Sequence, residues 1–151
     1  MLHKAMLCLM TASVLVLCSL QIHAEEPATS YSIDDESLQW GPCPDFFPAG
    51  CFIAVVHGDP TKPNVDIFFK VPGHYNIPAH WHTSAERMTL LSGTMKVNYE
   101  GQPTTELTAG MYAYGPAKKV HDGQCVSDEP CVLFIAFEEP LDAVAFSHPT
   151  E

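Results

Sequence analysis

Basic side chains are scarce in this 151-residue chain: Lys and Arg number 7 against 18 Asp and Glu, a formal charge of −11. A surface so short of cations cannot displace counterions from phosphates, which excludes non-specific nucleic-acid binding. Beyond the first two dozen residues there is no long apolar run, and past Trp40 no stretch sustains a helical period. Together with 13 Pro and 9 Gly set between short apolar segments, that disfavours a helix bundle. The chain also lacks a twin arginine and any tight Cys-x-x-Cys pair. What it does have is a hydrophobic fraction of 46%, too high for a disordered chain, and the length of one ordinary domain.

The N-terminus reads as a targeting segment. Lys4 supplies a weak positive start, residues 5–20 are almost wholly apolar, and Ala24 is a small residue placed before Glu25. This is the layout of a secretory signal peptide, residues 1–24, cleaved after Ala24. An uncleaved anchor is the alternative, since 5–22 is just long enough to span a bilayer. A lipid-modified Cys18 is disfavoured because Leu17 precedes it. The predicted location is therefore periplasmic or secreted, with no membrane association after cleavage.

Cleavage removes Lys4, Cys8 and Cys18, leaving a mature chain one unit more acidic with Cys43, Cys51, Cys125 and Cys131. Four cysteines in an exported domain read as two disulfides, for which three connectivities exist. Proximity in sequence favours Cys43–Cys51 and Cys125–Cys131. Metal ligation is the rival use, against which the spacing argues.

Residues 25–48 are predicted to form an acidic N-terminal arm, loose at first, with one helical turn at 36–40 stopped by Gly41-Pro42. Beyond it, short strands are expected at 51–57, 64–71, 77–82, 87–91, 94–99, 105–107, 111–114, 131–138 and 141–146, broken at Gly and Pro positions. Strands at this spacing indicate one all-β domain, an antiparallel sandwich or barrel.

The chemistry is concentrated between Gly73 and His121. His80, His82 and Glu86 share parity with Met88 and Leu90, so in extended chain they project from one face, apolar farther along. Inward-pointing ligands of this kind are costly unless paired, and a divalent cation would pair them. Read singly, the same residues could be hydrogen-bonded loop or core groups.

The spacing goes further. Gly73-x6-His80-x-His82-x3-Glu86-x6-Gly93 resembles the first motif of the cupins, and Gly110-x5-Pro116-x4-His121 the second. Three departures stand out. The first interval is one residue longer than usual, Lys118 stands where the family usually has glycine, and Cys125 where an asparagine is common. Positive φ at that turn costs a lysine what it does not cost a glycine. The resemblance implies a double-stranded β-helix (jelly-roll) barrel, a single cupin domain at 49–147. It further implies one divalent transition metal ion on His80, His82, Glu86 and His121, and a monocupin of a kind often found as a homodimer. Three nitrogens and one carboxylate suit Fe, Mn, Zn, Cu or Ni, and an exported chain meets an affinity order that favours copper and zinc.

Two functions from different classes follow. One is a metalloenzyme acting on a small oxygen-rich molecule, of dioxygenase, isomerase, decarboxylase or lyase type. The other is a non-catalytic module that binds a metal or metabolite. Lys119, Tyr112 and Tyr114 are weak candidates for substrate contact. His57 and His74 read as solvent-facing loop histidines, Arg87 as outward, and Phe69, Ile135 and Phe137 as barrel lining.

Overall fold

The computed structural model describes residues 26–147, so the expected signal peptide lies outside the described residues. Among the described residues every regular element is a strand: β1 (Gly41–Pro42), β2 (Phe52–His57), β3 (Val65–Val71), β4 (Asn76–Trp81), β5 (Glu86–Ser92), β6 (Thr94–Tyr99), β7 (Thr105–Thr108), β8 (Tyr112–Gly115), β9 (His121–Cys125), β10 (Cys131–Phe137) and β11 (Val144–Ala145). They form two antiparallel sheets, ordered β1-β2-β3-β10-β5-β8 and β11-β4-β9-β6-β7. The sheets face each other as an all-β double-stranded β-helix.

Alternation decides which face is core. Val65, Ile67, Phe69 and Val71 of β3 point inward, as do Met88 and Leu90 of β5, Met95 and Val97 of β6, and Leu133, Ile135 and Phe137 of β10, all buried in one cluster. The central pair β3–β10 is also covered from outside. Phe68 is buried with Leu38 and Ala54, and Ile33, Trp40, Val56 and Phe134 pack around them.

Part of the segment 25–48, expected as an arm, contributes to that second cluster. Ile33, Leu38 and Trp40 pack on the outer face of the larger sheet between exposed polar neighbours, while Cys43 and Phe47 join the inner cluster. The expected helical turn at 36–40 is also absent. The Asp35 carboxylate accepts hydrogen bonds from both the backbone N–H and the hydroxyl of Ser37, at 2.9 and 2.6 Å, closing a side-chain turn instead. Gly41-Pro42 does not end a helix but forms β1, paired to the start of β2.

Cys43–Cys51 and Cys125–Cys131 are both bonded, with Cα separations of 5.5 and 5.8 Å. Each loop closed this way should stabilise the fold by roughly 2–4 kcal/mol, chiefly by restricting the unfolded chain. The first fastens the segment before β2, which Tyr75 also holds through a 2.5 Å hydrogen bond from its hydroxyl to the Pro48 carbonyl. Strand β9 falls where no strand was expected. It lies between β4 and β6, with His121 opposite both His80 and Tyr99.

Candidate metal centre

Four side chains converge because three strand ends meet. β4 carries His80, the turn after it His82, the first residue of β5 is Glu86, and the first of β9 is His121. His80 and His121 are cross-strand partners, which sets their rings 4.2 Å apart between centroids. The Lys118 N–H donates to the His82 carbonyl at 2.7 Å, tying the second motif to the first. Lys118 makes that bond at φ +59°, the left-handed conformation in which glycine would be unstrained. All four site residues are buried, none more than 8% exposed.

Each imidazole is oriented by a backbone carbonyl. Nδ1 of His80 lies 2.7 Å from the Pro78 carbonyl, Nδ1 of His121 3.0 Å from the Lys119 carbonyl, and Nδ1 of His82 against the Asp142 carbonyl. A carbonyl can only accept, so Nδ1 carries the proton in all three, and a neutral ring then presents an unprotonated Nε2. The three histidines offer nitrogens within 4.8 Å of one another. Oε1 and Oε2 of Glu86 stand 3.2 Å from His82 Nε2 and 3.5 Å from His121 Nε2. Nitrogen and carboxylate lone pairs therefore face each other at a buried site, an arrangement that a cation reconciles. The donor set fits a divalent metal.

Burial pushes His80 down to about 3, with the neighbouring His121 and His82 adding to the effect. His121 is also lowered, mainly by burial, against the raising effect of the Glu86 carboxylate. Both shifts favour the neutral, ligating form.

The four residues open on a cavity of about 390 Å³ between the sheets, lined mostly by apolar side chains, Phe69, Ile135 and Phe137 among them, with Asp122 and Asp142 also on its wall. Pro42, Cys43, Pro44 and Phe47, from the segment ahead of the barrel, form part of its wall. Phe47 reaches the site itself, its ring 5.2 Å from that of His80.

The sequence reading missed Tyr99. It ends β6 facing inward, its ring 5.0 Å from His121, and its hydroxyl is shielded from solvent with no hydrogen-bond partner among the described residues. Burial first, and the Glu86 carboxylate second, raise its pKa, so it is a neutral phenol. A buried hydroxyl left unpaired costs about 1–3 kcal/mol. The parity of Met95, Val97 and Tyr99 was the available signal.

The three candidates for substrate contact, Tyr112, Tyr114 and Lys119, lie away from the cavity wall. Tyr112 and Tyr114 are 60% and 54% exposed, because β8 is the sheet edge and turns these positions outward. Lys119 does not line the cavity and serves the site through its carbonyl. His57 and His74 lie on the surface beside Glu26 and Asp128. Arg87 faces outward, paired with Glu138.

A cupin-domain family model matches residues 68–137. No curated protein matches the chain. Among solved structures it is similar to the DMSP lyase DddQ from Ruegeria pomeroyi DSS-3, at 17% identity and a TM-score of 0.64 over 76% of this chain and 64% of that one. It is also similar to a protein with a double-stranded β-helix domain from Klebsiella pneumoniae, at 18% identity and a TM-score of 0.62 over 80% of this chain and all of that one. A third is oxalate decarboxylase from Bacillus subtilis, at 21% identity and a TM-score of 0.57 over 65% of this chain. The chain spans 64% of the length of the first of these and 28% of the third. At such identities the likeness is one of fold. Fold, motif spacing and family match agree: residues 68–137 match a cupin domain, set within a single double-stranded β-helix.

Proposed function

We propose that His80, His82, Glu86 and His121 hold one divalent transition metal ion and that the protein is a metalloenzyme acting on a small oxygen-bearing molecule. The observation that carries this is the common orientation of the three imidazoles, each with Nδ1 committed to a backbone carbonyl and Nε2 free toward the Glu86 carboxylate. When bound, such an ion supplies Lewis acidity to an oxygen donor of the substrate. The chain supplies a largely apolar cavity, a fixed ligand geometry and one phenolic donor at Tyr99. DMSP lyase and oxalate decarboxylase, both named for small-molecule substrates, lend this reading a precedent on the same fold. Manganese is one candidate metal, named for the Bacillus subtilis enzyme; iron, zinc, copper and nickel suit the same donors.

The two disulfides are compatible with an oxidising compartment and support export by a cleaved signal peptide at 1–24. A homodimer is proposed on the character of β8, an unpaired edge that exposes Tyr112 and Tyr114; light scattering in solution tests it.

The test of the centre is metal stoichiometry. Protein reconstituted with each candidate metal should hold close to one equivalent, whereas Glu86→Gln and His82→Ala should lose affinity by more than the roughly 10–100-fold typical of an outer partner. His57→Ala and His74→Ala should match the parent. Retention of metal by the ligand variants would refute the centre, and a loaded protein that turns over no small carboxylic acid, diol or enol would favour the binding-module reading instead.

A further inference from the structure

We propose that this cavity selects a small, mostly apolar monocarboxylate, whose head group accepts a hydrogen bond from Tyr99 and whose tail lies among the apolar side chains between the sheets. The inference rests on the metal centre proposed above and adds to it the class of substrate and the residue that orients it.

The charges in the cavity come first. No lysine or arginine lines it. Three neutral imidazoles and one carboxylate around a divalent ion leave a single positive charge, which one anionic group balances. A second anionic group would have no cationic side chain to meet, and the two further carboxylates on the wall, Asp122 and Asp142, would oppose it. Both of these are already engaged. Asp122 accepts from the Asn98 side-chain amide at 2.6 Å, and Asp142 from the N–H and hydroxyl of Thr83 at 2.9 and 2.5 Å. Among the described residues this leaves Tyr99 as the side-chain donor on the wall without a partner.

Gly115 makes the position of that hydroxyl possible. A Cβ built on Gly115 would overlap the Tyr99 hydroxyl and come within 2.8 Å of Glu86 Oε2. Its φ is not in the left-handed region, so the backbone there would accept alanine. What excludes a side chain is the space held by the phenol and the carboxylate. The hydroxyl is thus kept beside the ligand set yet bonded to none of it, which fits a donor reserved for a molecule bound there. At about 390 Å³ the cavity is at the small end of the roughly 300–1,000 Å³ usual for ligand pockets, the scale of benzoate or hexanoate.

The experiment compares hexanoate with adipate, which adds a second carboxylate at the tail, by calorimetry on metal-loaded full-length mature protein. Metal content is measured on the same samples. Hexanoate should bind at least tenfold more tightly than adipate. Tyr99→Phe should keep the parent's metal content, melt at or above the parent's temperature without probe because an unpaired hydroxyl is gone, and bind hexanoate about tenfold more weakly. Gly115→Ala should reproduce that loss by displacing the phenol. A parent that takes up no metal sinks the four-ligand centre and this inference with it. A loaded parent that binds adipate as tightly as hexanoate, or a Tyr99→Phe variant that binds hexanoate like the parent, overturns the present inference alone.

Discussion

His80 shows how burial and protonation are linked at this site. Its ordinary value is 6.5, and in the folded protein burial lowers it to about 3. In the metal-free protein at neutral pH the imidazole is uncharged in both folded and unfolded states. As pH falls below 6.5 the unfolded chain takes up a proton that the folded site refuses, so the stability present above 6.5 is lost progressively down to about 3. His121 shifts in the same direction. The melting temperature of metal-free protein should fall between pH 7 and pH 4, and a His80→Leu variant should show a shallower fall in the same titration. Lys118 is a residue with the opposite prospect. Replacing it with glycine removes the cost of φ +59°, on the order of 1 kcal/mol, and should raise the denaturant midpoint while leaving the His82 carbonyl its N–H partner.

At the level of elements, the strands that bury one face against a turn-marked boundary were legible. β6 runs from Thr94 to Tyr99, bounded by Ser92-Gly93 and Glu100-Gly101, as its alternation and flanking glycines dictate. β9 was not legible. Its Asp122-Gly123-Gln124 has the composition of a turn, yet tertiary pairing on both sides makes it a strand. Gly123 is there because a Cβ would come 3.0 Å from the Lys96 carbonyl oxygen and 3.3 Å from Ile77. His80, His82 and Glu86 could be read from parity and His121 from the resemblance of its motif, whereas the parity Tyr99 shares with Met95 and Val97 was easily passed over, because a tyrosine ahead of a turn looks like a strand end in water. The segment before β1 was concealed by its acidic side chains, which hide the spaced Ile33, Leu38 and Trp40. Leu38→Ala tests the assignment of this segment to the fold. It removes the center of the outer cluster and should cost roughly 2–5 kcal/mol in urea unfolding, where a loose arm would cost nothing.

For the whole molecule, the two disulfides divide the labour. Cys125–Cys131 lies in the core and braces the loop that follows β9, whereas Cys43–Cys51 fastens chain that precedes the barrel. A Cys43→Ser, Cys51→Ser double variant should keep its metal equivalent, since all four ligand side chains come from later in the chain. Its melting temperature should drop by the stabilisation of one short-loop disulfide, and its affinity for an apolar probe should weaken with it. Full retention of probe affinity would show that the segment bearing Phe47 stays in place unaided.

The Cys43–Cys51 bond therefore does more than add stability. It joins the chain ahead of the barrel to the wall of the chamber where chemistry is proposed, with Phe47 set against His80 and Phe69. A molecule that has not met an oxidant has its ligands in place and one side of its chamber unlatched. Before oxidation that stretch is held by the β1–β2 pairing and the Tyr75–Pro48 hydrogen bond alone, so metal capture at ligands later in the chain and the latching of this wall are separable events.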